Sequence, residues 1–204
     1  MFSGLTLYGL FSEIVASGTA SIVSNGGLIK KIYLPREIYP LASVGAALFN
    51  FGVQLVVLLA AAVLQSGFAW IRLDLLYFFP ATLVILIWAT AFALLLAAAN
   101  VYLRDMQYLV EVLVLLLMWA SPIVYSWQMV ASRAPGWLLD LYTTNPITLA
   151  ILGFHRAFWT AGADSEYPSH LLIRLVVVGV VGLVALLLCQ RVFAKLQGNF
   201  AQEI

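Results

Sequence analysis

The 204-residue chain is 64% hydrophobic and 9% charged, with a mean hydropathy of +1.03, against roughly 45–50% apolar and 25% charged residues in a soluble domain. Such a composition implies a bilayer as solvent and excludes an ordinary water-soluble enzyme. A net charge of +1 supplies neither the basic face that nucleic acid requires nor an acidic face for cationic ligands.

Five stretches reach the length of about 20 mostly apolar residues that a helix needs to cross a hydrocarbon core of about 30 Å. The first, Phe2–Val23, is diluted by Ser, Thr and Gly and carries Glu13. The loop Ser24–Glu37 follows, reading S-N-G-G-L-I-K-K-I-Y-L-P-R-E. A turn signal, a short amphipathic stretch and a proline predict a helix lying at the membrane surface. Leu28, Ile29 and Ile32 can bury on one side of it, while Lys30, Lys31 and Arg36 face lipid phosphate or a protein. The second span is Ile38–Leu64. Tyr39, Ser43, Asn50 and Gln54 share one face of it at near-helical spacing, a stripe unsuited to lipid. It either lines a translocation path or hydrogen-bonds neighbouring helices.

The third span, Leu75–Ala99, leads through the turn Asn100–Asp105 into a fourth, Met106–Trp127. At that turn Arg104 and Asp105 form an opposite-charge pair, with Asp favoured at a helix start. Glu111, a turn and a half into the fourth span, needs a partner or water, and Arg104 is within reach of it. Ser121–Pro122 removes a backbone donor, so the helix is expected to kink or end there. Trp119, Tyr125 and Trp127 cluster with that break, and Trp137, Tyr142, Phe154, Phe158 and Trp159 extend the zone. They form either an interfacial aromatic belt or a set of ring faces along which sugars slide. The apolar run Ile147–Thr160 is only 14 residues long, which suits a re-entrant or interfacial helix. The fifth span is Leu171–Cys189. Cys189 is the single cysteine, so no intramolecular disulfide can form.

Lys30, Lys31, Arg36, Arg104, Arg191 and Lys195 fall on one side of five crossings. The positive-inside bias puts that side, with the tail Gln190–Ile204, in the cytoplasm. The N-terminus then faces outward without a signal peptide, an awkward design that points to a span upstream of Met1. The expected fold is all-α: one polytopic membrane domain over residues 1–204, five spans, and short re-entrant or interfacial helices on the outer side.

Several motifs occur in register. Asn25, Leu28, Ile29, Lys30 and Lys31, then Leu34–Pro35–Arg36, then Pro40–Leu41, match the pattern N-x-x-L-I-x-K-x-x-F/L-P-R. Asn100–Val101 with Arg104–Asp105, Ser121–Pro122–Ile123–Val124–Tyr125, Asn145–Pro146 with Arg156, and the tail 198–203 (G-N-F-A-Q-E) follow in order. On these residues nearly the whole chain resembles the type-2 ABC exporter permeases, and most closely the branch that exports polysaccharides such as O-antigen, teichoic acid and galactan. Family members have six spans and an N-terminal interface helix, so the chain looks like the last five of six.

The resemblance implies that the segment Asn25–Arg36, with Lys30, Lys31, Pro35 and Arg36, docks on a separate ABC ATPase. It further implies a permease homodimer, a lipid-linked glycan as cargo, and the bacterial inner membrane as location. ATP and Mg would be bound by the partner chain alone, since G-x-x-x-x-G-K-[ST] does not occur here. His155 and His170, the only histidines, have no Cys, Asp or Glu at metal-ligand spacing, so no metal site is expected. H-E-x-x-H and G-x-S-x-G are likewise missing. Two rival readings remain: a permease of the same fold for a drug or small lipid, and a membrane enzyme that uses a polyprenyl-linked sugar through Glu111 or Asp74.

Overall fold

A computed structural model describes residues 2–29, 34–66, 73–103, 105–133, 135–158 and 167–200. Among them all regular structure is helical. Helix α1 (Phe2–Ser24) ends in a turn at Asn25 and a short α2 (Gly26–Ile29); α3 spans Ile38–Ser66. A 3₁₀ turn, Leu73–Tyr77, leads into α4 (Phe78–Tyr102), followed by α5 (Met106–Ala120). Three short helices follow, α6 (Trp127–Ala131), α7 (Gly136–Thr144) and α8 (Pro146–Phe158), before α9 (Leu171–Leu196) and a closing 3₁₀ turn at Gln197–Asn199.

Four segments, Phe2–Ser24, Ile38–Leu64, Leu73–Tyr102 and Leu171–Leu196, are long and apolar enough to cross a bilayer. The chain is a multi-pass α-helical membrane protein. The fourth apolar stretch is shorter than its hydropathy implies. Helix α5 has 15 residues, about 22 Å at 1.5 Å per residue, and stops at Ala120 rather than running to Trp127. The cause is Pro122, whose ring disfavours helical backbone at the residue before it; Ser121 is accordingly extended, at φ −108° and ψ 150°. Helix α9 instead continues past Cys189 to Leu196, because its hydrogen-bond ladder has no reason to stop where Arg191 and Lys195 lower the hydropathy.

Helices α1 and α4 form the centre. Helix α1 packs on α3, α4, α5 and α8, and α4 packs on α1, α8 and α9. Close approach of α1 and α4 depends on Gly18, where an added Cβ would lie 2.6 Å from the Cβ of Ala93. Small residues at such crossings let helix backbones meet where lipid offers no hydrophobic drive for association. The indole of Trp88 donates to the Val178 carbonyl at 3.1 Å, joining α4 to α9. By contrast α3, α5 and α9 carry exposed apolar rows, among them Val56, Val57, Leu113, Leu116, Val180 and Val184, as expected of surfaces that meet acyl chains.

Helix α8 is buried on nearly every side: Ile147 through Phe154 and Ala157 are all enclosed between α1, α4 and α9. It enters the bundle rather than lying on its surface. Gly153 permits this, facing Leu175 and Ala81. Asn145 and Pro146 start the helix. The Asn145 Oδ1 accepts from the Ile147 N–H at 3.0 Å, and proline is suited to the first helical position because it lacks a donor there. Helix α7 is different, with Trp137 and Leu141 exposed.

Candidate coupling face and translocation path

One end of the bundle gathers the C-termini of α1, α4 and α9, the start of α3, and the turn between α1 and α3. A small second core of Ile22, Tyr39, Leu94, Ala97, Ala98, Val101, Phe193 and Phe200 holds them, with Ile29 against it. Asn25 terminates α1: its Nδ2 donates to the Ser21 carbonyl at 2.7 Å, and its own carbonyl accepts from Leu28 and Ile29. Leu28 is exposed. Lys30 and Lys31 lie outside the described residues, as does Ile32. Pro35 is exposed and its carbonyl accepts from the Ile38 N–H at 3.1 Å, starting α3. The Arg36 guanidinium stands 5.8 Å from the ring centroid of Phe200, within cation–π range. Phe200 in turn meets Phe193 edge-on and packs on Tyr102, while the Tyr102 hydroxyl donates to the Leu196 carbonyl at 3.2 Å.

The start of α5 belongs to this end as well. Asp105 stands at its N-cap, but its side chain makes no capping bond, so the helix-start role expected of it passes to another residue. The fully buried Asn100 fills it: its Oδ1 accepts from the Gln107 N–H at 3.2 Å, and its Nδ2 donates to the Thr19 carbonyl at 3.1 Å. One amide thereby joins α1, α4 and α5. Asn100→Ala takes the acceptor from the half-buried Gln107 N–H and removes the tie to the Thr19 carbonyl, and it is expected to cost about 2 kcal/mol, read as a lower melting temperature of the purified permease in detergent. An unchanged melting temperature would contradict the cap. Arg104 lies outside the described residues, and with it any pairing to Asp105 or Glu111; both of those carboxylates are exposed.

Along the middle of the bundle the α3 stripe turns toward α1. Tyr39 is buried, with its hydroxyl unpartnered among the described residues, and Ser43 is half-buried and donates to the Tyr39 carbonyl at 3.4 Å. Asn50 and Gln54 are exposed. The Asn50 Nδ2 donates to the Glu13 Oε1 at 2.5 Å, and Gln54 lies over Gly9. The stripe thus does some helix joining through Asn50, and it leaves an open polar surface.

At the opposite end, Ser121 and Pro122 are buried, and the Ser121 Oγ has no partner among the described residues. The Tyr125 hydroxyl donates to the Trp119 carbonyl at 3.0 Å and sits 2.9 Å from the Tyr142 hydroxyl. Trp127 stacks on Tyr142, with ring centroids 6.0 Å apart. Burial, helped by the Tyr125 hydroxyl, pushes the Tyr142 phenol well above the usual tyrosine range, so it stays a neutral donor. Beside it lies an open cleft of about 410 Å³ lined by Ala120, Leu138, Leu141, Tyr142, Thr144 and Asn145. Trp119 and Trp137 are exposed. Phe154 and Phe158 do not join this aromatic surface. Phe154 is fully buried and both pack inward on Phe78, because α8 runs inside the bundle. Trp159 lies outside the described residues.

The same end is tied by two cations. Arg156 pairs with Asp74 at 2.9 Å and stands 4.4 Å over the Tyr77 ring, fastening the last turn of α8 to the 3₁₀ turn before α4. Arg174 donates to the Thr143 hydroxyl at 2.8 Å and to the Ser169 carbonyl at 3.2 Å.

A family model described as ABC-2 type transporter matches residues 1–159, well over half of the chain. The chain belongs to the ABC-2 type transporter family. This ABC-2 permease is similar to the O-antigen export system permease protein RfbA of Klebsiella pneumoniae, at 23% identity over 205 residues, covering 99% of this chain and 73% of that protein. It is also similar to the RfbA of Myxococcus xanthus, at 25% identity over 204 residues, covering 100% of this chain and 75% of that one. Membership makes it a permease, a transport subunit of an ABC exporter, in a family that works with ABC ATPases.

Three contributors to the ABC-2 permease went unassigned in the sequence. Asn100 was visible only as part of a motif, since its two bonds reach residues 81 and seven positions away. Phe200 needed the tail to fold back onto Tyr102 and Phe193. Glu13 was visible as a carboxylate amid apolar residues, and that signal alone marks a site in a span.

Proposed function

We propose that the chain is the membrane subunit of an exporter that moves a lipid-linked polysaccharide outward across the bacterial cytoplasmic membrane. The observation that carries this reading is the similarity, over 99–100% of its length, to permeases of O-antigen export. In it, the end holding Arg36, Arg191 and Lys195 is cytoplasmic, with the C-terminus, by the positive-inside bias. Two copies pair, and a separate ATPase binds ATP and Mg and docks on Asn25–Arg36. Closure of the ATPase subunits moves that segment. Because Ile29 and Arg36 rest on the same small core as the ends of α1, α4 and α9, a push there tilts several helices together. Tyr39, Ser43, Asn50 and Gln54 then border the path, and Trp119, Ser121, Pro122 and Tyr125 lie toward its outer mouth.

Deleting the gene tests this. Lipid-linked glycan is expected to accumulate inside the cell and disappear from the surface, with drug tolerance unchanged. Lost drug resistance with a normal surface would favour the rival permease for a drug or small lipid. The enzyme reading is weakened by the Arg156–Asp74 pair, which occupies the Asp74 carboxylate; turnover of a lipid-sugar by the purified permease without an ATPase would restore it.

A further inference from the structure

Glu13 lies midway along the 23-residue α1, half-buried, with Asn50 donating to it from the middle of α3. Around it on α1 stand Gly9, Ser12, Ala16 and Ser17, and Gln54 approaches from α3. This polar surface is open among the described residues. An ionisable group at such depth does not face acyl chains; it meets water, a ligand or a partner.

A second copy of the chain is a poor occupant. None of the ten Lys and Arg residues falls within α1 or α3. A two-fold contact over this face would therefore set Glu13 against a surface with no cation, leaving two carboxylates desolvated near each other. An apolar drug or acyl chain fits no better, since it would strip water from a carboxylate and two amides without replacing their hydrogen bonds. A chain bearing many hydroxyls replaces all of them. The carboxylate accepts from sugar O–H groups, and each amide both donates and accepts.

We infer that Glu13, with Asn50 and Gln54, is a mid-depth contact site for the hydroxyls of a glycan passing through a water-filled path. This rests on the proposed export of polysaccharide and adds to it a site on α1, where no path residue had been placed. The small side chains of Gly9, Ser12 and Ala16 leave room for sugar rings to pass, and one shared carboxylate holds them without fixing a register.

The test uses the full permease in native membranes with its ATPase. In a Cys189→Ser background, Ser17→Cys is expected to react with a charged, water-soluble methanethiosulfonate faster than the lipid-side control Leu183→Cys. The margin is at least about tenfold, the loss of thiolate that a single unit of apolar pKa elevation produces. Labelling no faster than at Leu183→Cys would overturn the inference by placing the face against lipid, a second copy or a further span. In the second arm, at equal membrane abundance and with the ATPase still bound, Glu13→Leu is expected to lower polysaccharide export roughly tenfold. Glu13→Gln, which keeps an acceptor and adds a donor, retains most of it. Normal export by Glu13→Leu would overturn the glycan contact while leaving the function intact. A deletion strain that keeps its surface polysaccharide would instead overturn the function.

Discussion

Gly18→Leu is expected to leave little folded permease: a lower yield of monodisperse protein in detergent and a melting temperature reduced by about 10 °C, taking an overpacking cost of about 3 kcal/mol or more. An added Cβ alone would lie 2.6 Å from the Ala93 Cβ, closer than carbon atoms pack. An alanine Cβ is fixed to its backbone, so no side-chain rotation relieves the clash; α1 and α4 must separate. They are the two central helices, and their separation would also part Asn100 from the Thr19 carbonyl. Gly18→Ala should be harmful too, in contrast to Gly45→Ala, where nothing lies within 4 Å of the added carbon. Equal melting temperatures for the two alanine variants would refute the close crossing.

Reversing the charge of the loop, Lys30→Glu with Lys31→Glu, is expected to abolish export and to lower recovery of the ATPase in a pull-down of the permease by about a hundredfold. Like charges brought together across an interface cost several kcal/mol, and about 2.7 kcal/mol corresponds to that factor. The variant should fold, since neighbouring Asn25, Ile29 and Arg36 hold the loop by contacts that do not use either lysine. Its membrane abundance and melting temperature should match the parent. Surface polysaccharide at the parent level, or undiminished recovery of the ATPase, would remove Asn25–Arg36 as the docking segment.

Much of the fold was legible because a span in lipid must satisfy its backbone internally and cover itself with apolar side chains, and both demands are written locally. Length and hydropathy therefore placed α1, α3, α4 and α9, and the Ser121–Pro122 pair marked a helix end. Hydropathy alone carried the fourth span on to Trp127, because an apolar window continues through Ser121–Pro122 while the helical backbone does not. The depth of α8 could not be read either: a 13-residue apolar helix suits a surface or an interior equally until its neighbours are known.

For the site, sequence alone determined which residues were too polar for lipid, Glu13, Asn50, Gln54 and Glu111 among them, and which loop carried the positive charge. Only the tertiary structure decided how they combine. It brought Asn50 to Glu13 across 37 positions, put Arg36 on Phe200, gave the capping of α5 to Asn100 instead of Asp105, and turned Phe154 inward. Polarity is a property of a residue, readable one position at a time, whereas partnership depends on where distant helices cross, and that crossing is set by packing at positions such as Gly18 and Ala93.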